Sequence, residues 1–228
     1  TDSWETIATA VREGNISKYN VGDTKTIDMG TYGTHTLRIA NKSTPSECST
    51  SGFSQSACGF VLEFADIITT HAMNDTSTNV GGWPATTMRT FVNNDIYNSL
   101  PSELRNAIID TIVVSGHGSK DTANFTSTDK LYLLSTVEVW AEGTSNQIGN
   151  NDTARDNTRQ LDYYKNLGTS TSNYSGAIKK NKTSAAWWWL RVAYSYGNTS
   201  FYRVGTNGDW GNTDSSSTRG VAPAFRLG

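Results

Sequence analysis

The residues best suited to chemistry lie near the carboxyl end of the chain, in the stretch 194–217. Tyr, Trp, Asn, Asp, Ser, Thr and Gly dominate it. Tyr and Trp offer large contact areas with few rotatable bonds, while Asn and Ser offer adaptable hydrogen bonds. This mixture favours recognition of a ligand. The alternative is an ordinary polar loop region of an antiparallel sheet with half-buried aromatics. The candidate ligand-binding residues are Tyr194, Tyr196, Asn198, Tyr202, Arg203, Asn207, Asp209, Trp210, Asn212 and Asp214.

Two apolar motifs frame this stretch. Trp187-Trp188-Trp189-Leu190-Arg191 precedes it, and Arg219-Gly220-Val221-Ala222-Pro223-Ala224-Phe225-Arg226-Leu227 follows it. Consecutive strand residues point to opposite faces, so we expect at least one tryptophan in the core and another at the border of the site. The expected core frame is Trp188, Leu190, Phe225 and Leu227.

The sequence predicts no catalytic residue and no cofactor. His35, His71 and His117 are scattered, and Ser115-Gly116-His117-Gly118-Ser119 lacks the Gly-x-Ser-x-Gly nucleophile elbow. A phosphate-binding glycine loop is missing. Glycoside hydrolysis needs two carboxylates at a defined separation, which sequence alone cannot pair. We therefore expect that the chain is not an enzyme.

No metal site is predicted either. Calcium takes six to eight oxygen ligands, and Asp209 with Asp214 supplies too few. The Asp and Asn residues near Asp152 and Asp156 do not follow the EF-hand spacing. Cys48 and Cys58 have no nearby His for a zinc site. They either form a disulfide, as in an oxidising compartment, or are both reduced.

Composition excludes further classes. The net charge is −2 with no basic run longer than Lys179-Lys180, so we expect no nucleic acid partner. No apolar run approaches the roughly 20 residues of a membrane span. Residues 1–5 are polar, so we expect no signal peptide. Hydrophobic residues make up 36% and aromatic residues 11%, which predicts a core built partly from aromatic side chains.

Helices are predicted mainly in the first half of the chain. Residues 2–13 have helical apolar spacing, with Asp2 as the expected cap and Glu5 as its capping-box partner. Residues 85–97 have the same spacing. A further helix is expected to begin near Leu100, with Ser99 as its cap. Its inward-facing residues would be Leu104, Ile108 and Ile109.

Strands are predicted at residues 24–29 and 34–40, which flank a turn signal and should pair antiparallel. Further strands are predicted at residues 60–68, 111–115 and 130–135. Long polar loops are predicted at residues 41–59 and 143–157, and a short helix or turn at residues 162–165. Early helices followed by strands predict a single α+β domain over residues 1–228.

A set of sequence markers occurs together along nearly the whole chain. They are Ser3-Trp4-Glu5-Thr6-Ile7, Val21-Gly22-Asp23-Thr24-Lys25, Gly81-Gly82-Trp83-Pro84-Ala85, Met88-Arg89-Thr90, Leu100-Pro101, Thr128-Asp129-Lys130-Leu131-Tyr132-Leu133-Leu134-Ser135, Glu138-Val139 and the two framing motifs. With these markers the chain resembles a bacterial and phage domain family of poorly defined function, common in gut bacteria. That family looks like a distant branch of the C-type lectin fold.

The resemblance implies a C-type lectin-like fold, with two helices of the N-terminal half packed on short antiparallel strands joined by long loops. The closing region is similar to the variable segment of retroelement-diversified phage tail and bacterial surface proteins. This implies a variable ligand face at residues 193–218. It also implies a protein or glycan ligand, and a location on a cell surface or a phage virion.

Two other functions are left open beside ligand binding. One is a structural or assembly domain of a phage tail or surface protein that has no ligand of its own. The other is an enzyme of the formylglycine-generating type, which has a related fold and uses cysteines near the C-terminal end. Cys48 and Cys58 lie early in this chain, which disfavours that chemistry.

Overall fold

The computed structural model describes residues 2–144 and 146–228 and shows a mixed α+β fold with mostly antiparallel sheets. The α-helices are α1 (Trp4–Arg12), α2 (Thr87–Phe91), α3 (Tyr97–Ser99), α4 (Ser102–Ala107), α5 (Thr136–Val139) and α6 (Asp162–Asn166). The strands are β1 (Thr24–Asp28), β2 (Thr34–Lys42), β3 (Phe60–Phe64), β4 (Thr69–His71), β5 (Ile108–Ile109), β6 (Thr111–Ser115), β7 (Phe125–Asp129), β8 (Lys180–Asn181), β9 (Ser184–Ala185), β10 (Trp188–Ala193), β11 (Ser200–Val204), β12 (Trp210–Asp214), β13 (Arg219–Val221) and β14 (Ala224–Leu227).

Two five-stranded sheets form the body of the fold. The first has the order β1-β2-β3-β14-β5, and the second, the C-terminal sheet, has the order β12-β11-β10-β13-β4. Two continuous stretches of chain cross from one sheet to the other, β3 to β4 and β13 to β14. They run antiparallel, with β14 paired to β3 and β13 paired to β4. The carboxyl-terminal motif therefore joins the sheets, and Trp188, Leu190, Phe225 and Leu227 are buried as predicted.

Helix α1 forms as predicted, but its cap differs. The Ser3 side chain accepts a hydrogen bond from the backbone N–H of Thr6. Asp2 instead accepts a 2.6 Å hydrogen bond from the Tyr19 hydroxyl and pairs with Lys18. The prediction of Asp2 as the cap was wrong because its carboxylate bonds to residues outside the helix.

The second helical prediction is confirmed with changes in detail. Helices α2 and α3 are joined by a π-helical turn at Val92–Ile96, and Met88, Val92 and Ile96 are buried. Ser99 does not cap α4, since its hydroxyl donates to the carbonyl of Ile96. Ile108 and Ile109 had been predicted in the helix, but they form β5, which pairs with β14.

Three strand predictions need correction or shortening. The predicted strand at residues 60–68 ends at Phe64, at the end of β3. The strand predicted at residues 130–135 is wrong, because the partner of β6 is β7, a polar segment just before it. Residues 131–134 are fully buried but contribute only an isolated bridge, from Tyr132 to Ala224. The β1–β2 hairpin and strand β6 are confirmed.

The long loops pack against the body of the fold. Cys48 and Cys58 form a disulfide, which closes the predicted loop that contains them. The loop predicted at residues 143–157, of which Ser145 lies outside the described residues, buries Ile148, Asp152 and Asp156. Over the described ranges, 2–144 and 146–228, no helix is long and apolar enough to cross a membrane.

Candidate functional site

The C-terminal sheet positions most of the candidate ligand-binding residues. Strand β11 lies inside the sheet with partners on both sides, whereas β12 is an edge strand bonded only to β11. Tyr202 faces Asn212 across this pair, and Ser200 faces Asp214. Opposed residues share a face of a sheet, so these four side chains lie on one face.

Four candidate aromatic side chains form a continuous row. The ring centroids of Tyr196 and Tyr194 are 6.2 Å apart, those of Tyr194 and Tyr202 are 5.6 Å apart, and those of Tyr202 and Trp210 are 6.1 Å apart. Such separations are typical of favourable aromatic pairs. The row begins at Tyr196, which is 58% exposed, and ends at Trp210, which is half-buried. The structure therefore brings these four predicted residues together.

A distant loop holds this row in place. The indole N–H of Trp210 donates a 2.8 Å hydrogen bond to the carbonyl of Asn146, and the Tyr202 hydroxyl donates a 2.8 Å bond to the carbonyl of Asn151. The loop at residues 146–151 thus covers one side of β11 and β12. The acceptors in this loop are backbone carbonyls, so the contact could not be predicted from a side-chain motif in the sequence.

Tyr202 takes a different part from the one expected. Its side chain is fully buried, and burial, with the nearby Asp152 carboxyl, raises its pKa. A side chain with no exposed surface does not touch a ligand on this face. We therefore reassign Tyr202 from direct contact to support of the aromatic row.

Arg203 lies on the opposite face of β11 from Tyr202. Its guanidinium is 3.3 Å from the Asp209 carboxylate, another candidate residue. The guanidinium carbon also sits 4.1 Å from the ring centroid of Trp187, within the range of a cation–π contact. Trp187 is half-buried, whereas Trp188 and Trp189 are fully buried, which confirms that at least one tryptophan of this motif lies in the core.

The remaining candidates lie on the edge strand and the loops. Asp214 accepts hydrogen bonds from the hydroxyls of Ser77 and Ser216, which lower its pKa. Asn212 is exposed on β12, and Asn198 and Asn207 are exposed in the loops that flank β11. These asparagines leave side-chain amides at the surface, where they can bond to a ligand.

A buried charged network lies beneath the sheet. Arg191 of β10 contacts both carboxylate oxygens of Glu138, at 2.7 and 3.0 Å, and Asp156 at 2.7 Å. All three side chains are buried. Burial raises the pKa of Asp156 to about 6, with repulsion from Glu138 adding to it and Arg191 opposing it. The network fixes β10 against the loop that contains Asp156.

The three histidines make local hydrogen bonds. Each histidine ring bonds to a nearby backbone carbonyl, from His35 to Tyr32, from His71 to Ala72 and from His117 to Gly118. Within residues 2–144 and 146–228, no group of three or more His, Cys, Asp or Glu residues could hold a metal ion.

Sequence reasoning missed two contributors to this region. Arg219 had been included with the apolar frame, yet its guanidinium carbon lies 4.8 Å from the Trp187 ring centroid. Asn150 had no assigned role, yet its carbonyl accepts a 3.4 Å hydrogen bond from the Tyr196 hydroxyl. The only local signal for Arg219 was a charged residue at the start of an otherwise apolar motif.

Comparison with known proteins gives one family. A family model described as a domain of unknown function, DUF6273, matches residues 60–228. The match includes the whole C-terminal sheet and both framing motifs. No curated protein and no solved structure matches the chain.

Proposed function

We propose that this chain, which belongs to the DUF6273 family of domains of unknown function, is a non-enzymatic binding module. Its C-terminal sheet and adjoining loops recognise a protein or a glycan. The contact residues are those of the predicted face that reach the surface. The buried frame and Tyr202 hold them in position.

One contrast carries this proposal. Tyr196, Asn198, Asn207 and Asn212 are exposed, while β10, the central strand of the same sheet, is buried at every position. Binding residues on a rigid support lose less conformational entropy when a ligand binds. An exposed tyrosine and three exposed asparagines, held by a sheet whose central strand is fully buried, form an arrangement that favours recognition.

We further propose a C-type lectin-like fold and diversification of the face by a retroelement. The α+β architecture with short antiparallel strands and long packed loops supports the first. For the second, the support is that the surface residues of the face are small, polar or aromatic. The Cys48–Cys58 disulfide supports an oxidising location, such as a cell surface or a virion.

Binding of the purified chain to a printed glycan array and to intact gut bacterial cells tests this function. Tyr196→Ala and Asn212→Ala remove exposed side chains of the face. We expect each to weaken binding by about tenfold or more, which corresponds to about 1.4 kcal/mol. Their urea unfolding midpoints should stay at the wild-type value, because exposed substitutions rarely change stability.

Matched controls lie on other surfaces. Asn94 is an exposed asparagine of the π-helical turn, and Ile112 is a 44% exposed residue of β6. Asn94→Ala and Ile112→Ala should retain full binding. Equal losses in the controls and in the face variants would contradict the assigned face. A wild-type chain that binds neither probe and assembles into oligomers would favour a structural or assembly domain.

A further inference from the structure

A second feature of the C-terminal sheet lies on the face opposite the aromatic row. The half-buried Trp187 ring has the guanidinium of Arg203 at 4.1 Å and that of Arg219 at 4.8 Å from its centroid. The two arginines come from β11 and β13, the strands on either side of β10. The Trp187 indole therefore contacts two guanidinium groups on one face of the sheet.

The space for Arg203 is built into the neighbouring backbone. A Cβ atom at Gly211 would lie 2.6 Å from one terminal nitrogen of Arg203, and one at Gly205 would lie 2.8 Å from the other. Real side chains do not approach so closely, so any larger residue at either position displaces the guanidinium. With Asp209 as its partner at 3.3 Å, Arg203 is fixed and its charge is balanced.

Arg219 has no such balance. Among the described residues, no carboxylate oxygen lies within 4 Å of its guanidinium. One terminal nitrogen donates a 2.8 Å hydrogen bond to the carbonyl of Thr218. Its Nε is buried without a hydrogen-bond partner in that part of the chain, as is the Nε of Arg203. Arg219 therefore differs from Arg203 in lacking a carboxylate partner among the described residues, and an anion placed beside its terminal nitrogens would supply one.

A small pocket opens beside Arg219. Its volume is about 230 Å³, below the roughly 300–1,000 Å³ of sites for drug-sized ligands. It therefore suits a single ring-sized group. The lining contains hydroxyl, amide and apolar groups and no acidic side chain. The lining residues are Thr70, Asn181, Ala186, Trp187, Thr218, Arg219 and Gly220.

We propose that this pocket binds the carboxylate-bearing sugar ring of an acidic glycan. The planar guanidinium of Arg219 matches a carboxylate with two parallel hydrogen bonds. The side chains of Thr70, Asn181 and Thr218 supply partners for sugar hydroxyls. This inference rests on the proposed function, because it assigns a ligand class to the same sheet.

Isothermal titration of the whole chain with glucuronate and with N-acetylneuraminate tests the pocket and separates two sources of the carboxylate. Glucose is the neutral comparison for glucuronate. At least one acid should bind, and glucose should bind about tenfold or more weakly, since charge-assisted hydrogen bonds are about twice as strong as neutral ones. Arg219→Gln should weaken binding of the acid by about tenfold or more. The control Arg12→Gln removes a charge from the surface of α1 and should change nothing.

Three outcomes would overturn the inference. They are absence of binding by both acids, unchanged affinity in Arg219→Gln, and N-acetylglutamate binding as tightly as the sugars, which would assign the pocket to acidic peptides. Failure here is distinguishable from failure of the proposed function. A chain that needs Tyr196 and Asn212 for binding, yet tolerates Arg219→Gln, refutes only the acidic pocket.

Discussion

The buried network of Arg191, Glu138 and Asp156 predicts an unusual dependence of stability on pH. One guanidinium faces two carboxylates, with the closest N–O distance to each at 2.7 Å. Full ionisation would leave one unbalanced negative charge in a site with no exposed surface. Burying an unpaired charge is costly, so the native state favours a proton on one of the two carboxylates, which we assign to Asp156.

The magnitude follows from the shift of the Asp156 carboxyl. Its pKa rises from 3.8 to about 6, first through burial and then through repulsion by Glu138, against the attraction of Arg191. Because the native pKa exceeds the unfolded value, the stabilisation is complete below about pH 4 and is lost as pH rises through about 6. One pKa unit corresponds to about 1.4 kcal/mol. Asp156 therefore lowers the free energy of unfolding by about 2 kcal/mol between roughly pH 4 and pH 7.

Asp156→Asn removes the titrating group and keeps an oxygen acceptor for one of its two partners, the N–H of Gly116 or the guanidinium of Arg191. Loss of the other hydrogen bond lowers the stability of the variant equally at every pH, so the pH dependence is what reports on the proton. Urea unfolding of wild type and variant across this pH range measures the effect. The variant should become more stable relative to wild type by about 2 kcal/mol as pH rises from about 4 to 7. Asp75→Asn, at an exposed position, is the control and should track wild type. A constant difference between Asp156→Asn and wild type at all pH values would refute the assignment of the proton to Asp156.

The remaining predictions concern the face itself. Tyr202→Ala should lower the free energy of unfolding by about 3–5 kcal/mol, as for other buried aromatics, while Tyr202→Phe should cost about 1 kcal/mol through its lost bond to Asn151. Urea melts measure both, and a Tyr202→Ala chain of wild-type stability would speak against the supporting role. Sequencing the locus in several isolates should find substitutions concentrated within residues 194–217 and scarce at Tyr202. An even spread along the gene would rule out diversification.

Local sequence signals predicted the elements whose stability is local. The alternation on either side of Gly30 to Gly33 predicted the β1–β2 hairpin, and the apolar spacing of Trp4, Ile7 and Ala8 predicted α1. In α1 the buried side chains follow the helical period, and in β2 Leu37 and Ile39 follow the alternation of a strand. The same signal predicted the helical segment that contains Met88, Val92 and Ile96.

Strand prediction failed where a buried segment is not a strand and where a strand is rich in polar residues. Leu131 to Leu134 are apolar because they are buried, and only Tyr132 makes a bridge to another strand. The true strand, β7, is polar because Thr126 and Thr128 are exposed. Its buried Asp129 accepts hydrogen bonds from the Ser127 hydroxyl and from the indole N–H of Trp83. From sequence alone, an aspartate such as Asp129 is expected at the surface, even though it is buried here with hydrogen-bond partners. Tertiary partners forty or more residues away decide such positions.

Sequence composition also could not predict which residues of the candidate face are exposed. Composition identified the stretch but could not separate Tyr196, which is 58% exposed, from Tyr202, which is fully buried. The difference depends on the loop at residues 146–151, which covers Tyr202 through the carbonyl of Asn151. The residue types of that loop do not predict that it packs over Tyr202.

The topology of the C-terminal sheet explains which positions can vary without loss of the fold. Strand β11 has a strand on each side, and at Tyr202 a loop covers its face, so substitution there disturbs the core. Strand β12 has a partner on one side only, and Asn212 is exposed there. An exposed side chain at the edge of a sheet can be replaced without disturbing the core. We therefore expect specificity to reside in Asn212 and in the exposed loop residues Tyr196, Asn198 and Asn207, with β10 and β11 as constant support.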